Sequence, residues 1–476
     1  MTGLAQRFGR VLGRLLAARR NQSGHEREAP SAWPDRLSMP EAELTALGPF
    51  PQGRELLFPA RRLLTPYRFD IPAKFLYAKH REKKVQSRFA VELYAEHLRV
   101  WNGLRELDPP KEGIEAYLES FHRILDATRT EGFDARTSTV PVGRSLSPIN
   151  GSHRIAACLL YGKEVSCRVM DEGLETHNYN YLYFRNREAH VPKGLAPPTQ
   201  NAIALEYCRL KPETYAALVF PSAVGKHREI LDVLLSHGHV VYEKEFFLGP
   251  TGRLNFIRCV YAGEAWLGTT KNGYNGANAK ASLCFASAGP LRFFVFETHD
   301  PERVVRAKAG IRALFRIDKS SVHINDSHDE TVRVAEALLN VNSVHFLENA
   351  RPEVPARLLE QLARLREWLR AVRLSPEEVC IGGSAVLAAY GLREGKDLDF
   401  LHHFALPDGG LPEDLGSHNE YAGLYGLPAD ELIYDPANHF YFGGFKFVSL
   451  PIVAGMKKAR GDRKDAVDLS LIKKVL

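Results

Sequence analysis

Two aspartates in the last quarter of the chain have the spacing of a metal site. Asp397 and Asp399 stand two residues apart in a segment whose pattern predicts a strand over Leu398–Leu401. Because side chains alternate along a strand, residues two apart point to the same face. Two carboxylates on one face could bind a divalent cation such as Mg²⁺.

The segment before this pair supplies a second chemical feature. Its pattern predicts a buried strand over Val379–Ile381, a turn at Gly382 and Gly383, and a helix over Ser384–Tyr390. The N–H groups at the start of a helix attract phosphate. A glycine turn that faces two carboxylates could therefore hold a triphosphate together with its metal. The alternative is an ordinary strand, turn and helix with aspartates on the surface.

The acidic pair and the turn together match a known signature. Gly383, Ser384, Asp397 and Asp399 resemble the motif of the polymerase-β-type nucleotidyltransferases, and the resemblance covers roughly Pro355–Leu476. It implies that the Gly-Ser turn holds the phosphates of an NTP (ATP or CTP) and that the two acids bind Mg²⁺ as catalytic residues. It also implies a third carboxylate on a later strand.

The remaining parts of such a site are less regular. Asp435 is the candidate third carboxylate, whereas the more usual strand, Phe445–Phe447, carries a lysine instead of an acid. A helix is predicted over Pro451–Leu476, and its Lys457 and Lys464 could hold the triphosphate or a phosphorylated acceptor. If no third carboxylate exists, the domain would bind a nucleotide without transferring it.

A second phosphate-binding pattern lies in the N-terminal half of the chain. Asn150, Gly151, Ser152, His153 and Arg154 directly precede an apolar helix face. Free N–H groups at a helix start, together with a histidine and an arginine, make an anion pocket. The alternative is a helix start in which the arginine pairs with a carboxylate.

This pattern resembles the motif of the ParB/sulfiredoxin superfamily. In that motif a small or acidic residue, a glycine, a variable residue and His-Arg open a helix that leads to a short strand, here Val165–Val169. The resemblance implies a ParB/sulfiredoxin-like domain over 54–171 that binds nucleotide phosphates. Sulfiredoxin chemistry is excluded, because Ser152 occupies the position between the glycine and the histidine and no cysteine is present there.

A third pattern centres on His323. Three segments are similar to nucleoside diphosphate kinase: Ala288–Pro290, Gly310–Arg312 and Val322–Ser327. The resemblance implies that His323 carries a phosphoryl group as a catalytic residue and that Arg312 contacts nucleotide phosphates. A histidine suits this role because its ring nitrogen is nucleophilic at neutral pH. Phe220 departs from the family, which has a lysine there.

Around His323 the elements alternate between strands and helices. Over 213–349 the pattern predicts a ferredoxin-like α+β domain, with Leu254–Tyr261 among its strand candidates. In the alternative reading His323 and Asp326 are structural and cap a helix that begins near Thr331. Residues 172–212 are predicted to be a connector with one short helix over Asn201–Arg209.

The N-terminal end has its own charge pattern. Ala5–Arg20 predicts a basic amphipathic helix, followed by a linker to residue 35. This leader could lie on an anionic membrane surface or contact a protein partner, and the alternative is a frayed tail. Residues 1–30 contain six arginines and two glutamates, so they account for +4 of the net charge of +6. The near-neutral remainder argues against a nucleic-acid partner.

Length and composition limit the number of domains, the use of the cysteines and the presence of membrane helices. With 476 residues the chain is too long for one ordinary core, so an α+β multidomain protein is expected, with a nucleotidyltransferase-like α/β domain over 355–476. Six cysteines without a C-x-x-C pair fit a reducing cytoplasm and make a zinc site unexpected. No apolar run approaches 18 residues, which predicts no transmembrane helix.

Two functions fit these patterns. The first is a metal-dependent nucleotidyl- or phosphotransferase that uses an NTP and a small hydroxylated acceptor, such as a sugar. The second is a nucleotide-sensing binding or regulatory protein whose transferase domains are degenerate. The patterns lead to no prediction of oligomeric state.

Overall fold

The computed structural model describes residues 55–107, 109–134, 139–143, 146–170, 178–186, 194–407 and 410–476. All of them belong to one compact unit. The predicted leader and linker at 1–35, including the basic helix at 5–20, lie outside the described residues. Among the helices that are described, none combines the length and the apolar character needed to cross a membrane.

The first region of the described chain builds a small sheet covered by helices. Its strands are β1 (Glu55–Pro59), β2 (Arg105–Leu107), β3 (Pro110–Glu112), β4 (Val140–Val142) and β5 (Glu164–Val169). Strands β1, β5 and β4 form one sheet in that order, and β2 pairs with β3. The helices are α1 (Asp70–Glu82), α2 (Phe89–Asn102), α3 (Gly113–Glu131) and α4 (Ser152–Tyr161). They enclose an aromatic core that includes Tyr77, Tyr94, Tyr117 and Phe121.

The predicted connector contains two helices, α5 (Tyr181–Asn186) and α6 (Pro197–Leu210), rather than one short helix. Helix α6 begins with prolines, which suit the first turn because their missing N–H would be unpaired there. Ten of its residues are buried, from Thr199 to Cys208. This segment is therefore a core helix, and it packs against α1.

The middle region forms a four-stranded sheet in the order β7-β8-β6-β9, with every neighbouring pair antiparallel. The strands are β6 (Thr214–Val219), β7 (His239–Phe246), β8 (Leu291–Glu297) and β9 (Val322–Ile324). Helix α7 (His227–His237) joins β6 to β7, and α10 (Pro301–Phe315) joins β8 to β9. The other helices are α8 (Pro250–Val260), α9 (Asn275–Cys284), α11 (His328–Leu338) and α12 (Val341–Asn349).

One predicted strand of this region is wrong. Leu254–Tyr261 belongs almost entirely to helix α8. The buried side chains Phe256, Ile257 and Val260 have the spacing of a helix face, whereas a strand would bury every second residue. The short apolar run carried both patterns, and packing against neighbouring helices selected the helix.

The last region forms a mixed five-stranded sheet in the order β12-β11-β10-β14-β13. The strands are β10 (Val379–Ile381), β11 (Leu398–His402), β12 (Leu415–Ser417), β13 (His439–Phe442) and β14 (Phe445–Val448). The helices are α13 (Ala356–Ala371), α14 (Gly383–Ala389), α15 (Ala429–Tyr434), α16 (Leu450–Arg460) and α17 (Arg463–Ile472). Short 3₁₀ turns complete the chain: Ala60–Leu63, Ala265–Leu267, Thr270–Asn272, Asp318–Ser320, Pro376–Glu378 and Asn419–Tyr425.

The single helix predicted over Pro451–Leu476 is divided in two. Helix α16 ends at Arg460, and Gly461 then adopts a left-handed conformation with φ +73°. Asp462 caps the start of α17 by a reciprocal arrangement with Asp465. The described chain is thus a mixture of helices and several small sheets, in agreement with the predicted α+β class.

Candidate functional site

Asp399 lies on a strand in the interior of the C-terminal sheet, between β10 and β12. Its backbone carbonyl accepts a hydrogen bond of 2.9 Å from the N–H of Gly382. In the parallel pairing with β12 it stands opposite Gly416. The strand pairing therefore holds the half-buried carboxylate beside the glycine turn, as the sequence predicted for Gly383 and Asp399.

Two glycines leave the room that this carboxylate occupies. Gly383 has φ +58°, and a Cβ atom there would lie 3.2 Å from Oδ2 of Asp399. A Cβ atom on Gly416 would lie 2.7 Å from Oδ1 of the same residue, closer than real Cβ contacts come. Neither position tolerates a larger residue without moving the carboxylate.

Asp397 lies just before β11 and is exposed. Burial and then the charge of Asp397 raise the pKa of Asp399, while His418, Arg460 and Lys464 act in the opposite direction. The two carboxylates are therefore close enough to repel each other. A cation between them would remove this repulsion, so the negative charge of the pair suits a divalent metal ion.

His418 and Tyr425 also belong to this site, and sequence reasoning missed both. The Tyr425 hydroxyl accepts the N–H of Gly383 at 3.0 Å and lies 2.8 Å from Nδ1 of His418. Both residues are buried. The His418 Cε1 atom and Oδ2 of Asp399 both lie within 4 Å of the position that a Gly383 Cβ would take. The tyrosine thus ties the glycine turn to the histidine.

One consequence concerns the predicted phosphate contacts of the turn. The N–H of Gly383 is taken by Tyr425, so it does not face a ligand. Ser384, half-buried in the first turn of α14, is the remaining predicted contact on this element.

The two lysines that were predicted to hold phosphate, Lys457 and Lys464, lie in different surroundings. Lys457 is buried, and its ammonium group lies 2.5 Å from Asp468 and 3.3 Å from Asp465. Arg460 binds Asp465 through two nitrogens, at 2.9 and 2.6 Å. Lys457 and Arg460 therefore hold α16 and α17 together. Lys464 has a side chain 69 % exposed and only a loose contact of 3.8 Å with Asp462, so it is the cation available to a ligand.

Asp435, the candidate third carboxylate, lies among other residues than Asp397 and Asp399. Its side chain accepts the N–H of Ala437 at 2.9 Å, and the acidic groups that raise its pKa, after burial, are Glu431 and Glu92. In the described part of the chain, no group of three or more histidine, cysteine, aspartate or glutamate residues is placed to hold a metal. The position opposite Asp399 on β12 is a glycine, which explains why this strand supplies no acid.

The second pattern, at 150–154, has its own geometry. Gly151 adopts φ +86°, and its N–H bonds Oδ1 of Asn150 at 2.6 Å. Ser152 is buried at the start of α4, which has no side-chain cap. Arg154 lies against Gly151, since a Cβ there would be 3.0 Å from its Nη2 atom. The guanidinium group also lies 5.9 Å from the centre of the Phe133 ring.

His153 of this pattern points into the aromatic core. Its Nε2 atom lies 2.8 Å from the hydroxyl of Tyr94, and its ring packs edge-on against Phe121 at 4.7 Å. Burial holds the pKa of His153 well below its usual range. The partly buried imidazole ring therefore packs against the aromatic core, where burial disfavours its charged form.

The third pattern brings His323 and Arg312 into one neighbourhood. His323 lies on β9, its ring 4.8 Å from that of Tyr261, and burial lowers its pKa to about 4, with smaller contributions from Lys308, Lys280 and Arg312. The Nε2 atom of His323 and the Nε atom of Arg312 are buried without a hydrogen-bond partner.

Helix α11, which follows this strand, is capped by a residue other than the predicted ones. The side chain of Ser327 accepts the N–H of Glu330. Asp326 instead pairs with Lys308 at 3.0 Å. The alternative in which His323 and Asp326 cap this helix is therefore wrong.

In comparisons with known proteins, no family model, no curated protein and no solved structure matches the chain.

Proposed function

We propose that the C-terminal region binds an NTP together with Mg²⁺ and transfers a nucleotidyl or phosphoryl group to a small hydroxylated acceptor, such as a sugar. The observation that carries this proposal is the Asp399 carboxylate, held between Gly383 and Gly416 and next to Asp397. Paired carboxylates beside a helix start suit a metal that is shared with phosphate groups.

Asp397 and Asp399 would hold the metal, and two carboxylates suffice for Mg²⁺ because it keeps water and substrate phosphate oxygens as its other ligands. Mg²⁺, when bound, would neutralise charge on the phosphate groups. Ser384 would donate its hydroxyl to a phosphate oxygen. Lys464, exposed at the start of α17, would add positive charge near Asp399.

Transfer also requires a group that accepts the proton of the acceptor hydroxyl. His418 is our candidate, because its Cε1 atom and Oδ2 of Asp399 lie 3.7 and 3.2 Å from the same point beside Gly383. In the tautomer that carries its hydrogen on Nδ1, it donates to the Tyr425 oxygen at 2.8 Å, which leaves Nε2 free to accept a proton.

The domain assignment is part of the proposal. The middle region has the element order βαββαβ, apart from helices α8 and α9 between β7 and β8, and its sheet order is β7-β8-β6-β9. This arrangement supports a ferredoxin-like domain over 213–349. We assign 54–171 as the ParB/sulfiredoxin-like domain and 355–476 as the nucleotidyltransferase-like domain, in a cytoplasmic protein.

The test uses ATP and CTP labelled at the α or the γ phosphate, Mg²⁺ and a panel of sugars, with wild type and Asp399→Asn compared. We expect at least about a hundredfold loss of turnover in the variant, because one metal-binding charge is lost. Glu360→Gln is the control, since it changes an exposed carboxylate on α13. Unchanged turnover in Asp399→Asn would exclude this site as the reaction centre.

A second candidate function is a nucleotide-sensing binding or regulatory protein. It is favoured by one observation: the described residues bring no third carboxylate to Asp397 and Asp399. Calorimetric titration separates the two functions. A sensor binds Mg²⁺-NTP without turnover, and His418→Gln leaves its affinity intact. A transferase loses kcat in His418→Gln, with the KM for nucleotide nearly unchanged.

A further inference from the structure

Lys244 lies on β7, at one edge of the middle sheet, and its ammonium group has weak partners. Within the described residues its hydrogen bond is a long one, 3.4 Å to Oδ1 of Asn201, and the centre of the Phe246 ring lies 4.9 Å away. No carboxylate in the described part of the chain comes within the 4.0 Å of an ion pair. The protein therefore does little to stabilise the charged form of this amine.

This environment differs from that of other partly buried lysines in the protein. Several of them are paired with a carboxylate at 2.5 to 3.0 Å, as in Lys79–Glu377, Lys111–Glu106 and Lys308–Asp326. Such a pair offsets the cost of taking an ammonium group out of water. Lys244 belongs to the same burial class without this compensation.

A second cation lies near this amine. The guanidinium group of Arg185 lies 5.4 Å from the centre of the Tyr242 ring and donates to the backbone carbonyl of Glu243 at 2.7 Å. The Glu243 carboxylate is 3.9 Å from it, so this ion pair is loose. The Tyr242 hydroxyl and the Lys244 amine share one acceptor, Oδ1 of Asn201. Both cations thus border the same tyrosine.

Two physical effects act on Lys244 in the same direction. Partial burial, and then the charge of Arg185, lower the pKa of Lys244 to about 8. At pH 7 roughly a tenth of such a side chain is the free amine, whereas a lysine with the ordinary pKa of about 10.4 is neutral in fewer than about one molecule in a thousand. A lysine beside another cationic group is an activated nucleophile.

We propose that Lys244 is a covalent modification site for an activated acyl group, carried by an acyl phosphate. The free amine attacks the carbonyl carbon and forms a C–N bond, the C–O bond to phosphate breaks, and phosphate leaves with the bonding electrons. The proton of the amine passes to water. The product is a neutral amide, so a poorly stabilised charge beside Arg185 is removed. Lys244 is partly exposed, which gives the reagent access. This site is independent of the proposed transfer reaction.

The experiment treats the full chain with acetyl phosphate and follows the acetylation of individual lysines by peptide mass spectrometry. At pH 7 we expect Lys244 to react at least about tenfold faster in the folded chain than in the chain unfolded in guanidinium chloride, where burial and Arg185 no longer act on it. Its rate in the folded chain should level off above about pH 8. Lys458, an exposed lysine on α16, is the control and should change far less on unfolding.

Arg185→Gln removes the neighbouring charge and should slow the acetylation of Lys244 at pH 7 about threefold. Arg228→Gln, which changes an exposed arginine on α7, should leave the rate unchanged. If Arg185→Gln does not fold, the comparison of folded and unfolded wild type decides the question. The proposal is wrong if Lys244 reacts no faster in the folded chain than in the unfolded chain, or if folded Arg185→Gln reacts as wild type does.

Discussion

Two helix starts in this chain share a backbone design and differ in what faces them. Gly383 and Gly151 both have positive φ angles, +58° and +86°, and each is followed by a serine and a helix. At Gly383 the neighbouring strand presents the carboxylate of Asp399. At Gly151 the neighbouring helices present aromatic rings, which take His153 into the core.

The difference shows that a glycine turn determines the path of the backbone, and that the facing element determines the chemistry. Around Gly383 three polar side chains, from β11, the end of β12 and the following 3₁₀ turn, converge. Around His153 the partners are Tyr94 and Phe121, and burial disfavours a charged ring. A ligand site with metal-binding groups is therefore expected at Gly383 and not at His153.

Among the variants that test this contrast, Gly416→Ala has the largest expected effect. The added Cβ would lie 2.7 Å from Oδ1 of Asp399, so the carboxylate must move. We expect about a tenfold loss of Mg²⁺-dependent nucleotide affinity, measured by calorimetric titration, and overpacking should cost about 1–3 kcal/mol of stability. Gly455→Ala is the matched control, because that glycine has open space within 4 Å. Equal losses in both variants would contradict the role of Gly416.

A smaller test addresses the core role of His153. Burial lowers the pKa of His153 in the folded protein. Just below pH 6.5 the unfolded chain therefore binds a proton at this residue, whereas the folded chain does not. The contribution of His153 to the free energy of unfolding is fully present above about pH 6.5. It is lost as the pH falls below that value, at up to about 1.4 kcal/mol per pH unit. His153→Gln, which does not titrate, should show a shallower decline in unfolding free energy below pH 6.5 by urea titration.

The control for this test is His299→Gln, which changes an exposed histidine of the middle region, and the unfolding free energy of this variant should decline as that of wild type does. Identical slopes in wild type and His153→Gln would mean that His153 is protonated in the folded protein. An anion pocket at 150–154 would then become the better reading of that pattern.

Some local elements were predicted correctly from the sequence, whereas contacts between distant residues were not. Strand Val379–Ile381 matches the prediction residue for residue, and the strand predicted over Leu398–Leu401 is one residue longer in the structure, because the apolar pattern of these short segments is local information. Gly416 escaped notice because its role depends on the register between β11 and β12. Lys457 was misassigned, since a sequence does not reveal that two aspartates on the next helix bury and pair it.

The smallest expected effect concerns Lys464, the exposed cation that lowers the pKa of Asp399. Lys464→Ala should weaken nucleotide affinity about threefold at low salt and hardly at all at 0.5 M salt. Added salt shortens the Debye length, and exposed charges that are farther apart than this length hardly interact. Lys458→Ala, which changes another exposed lysine on the preceding helix, is the matched control and should leave nucleotide affinity unchanged. If both lysines have the same effect, the attraction comes from net charge alone, and the contrast between the two helix starts rests on the carboxylates of Asp397 and Asp399.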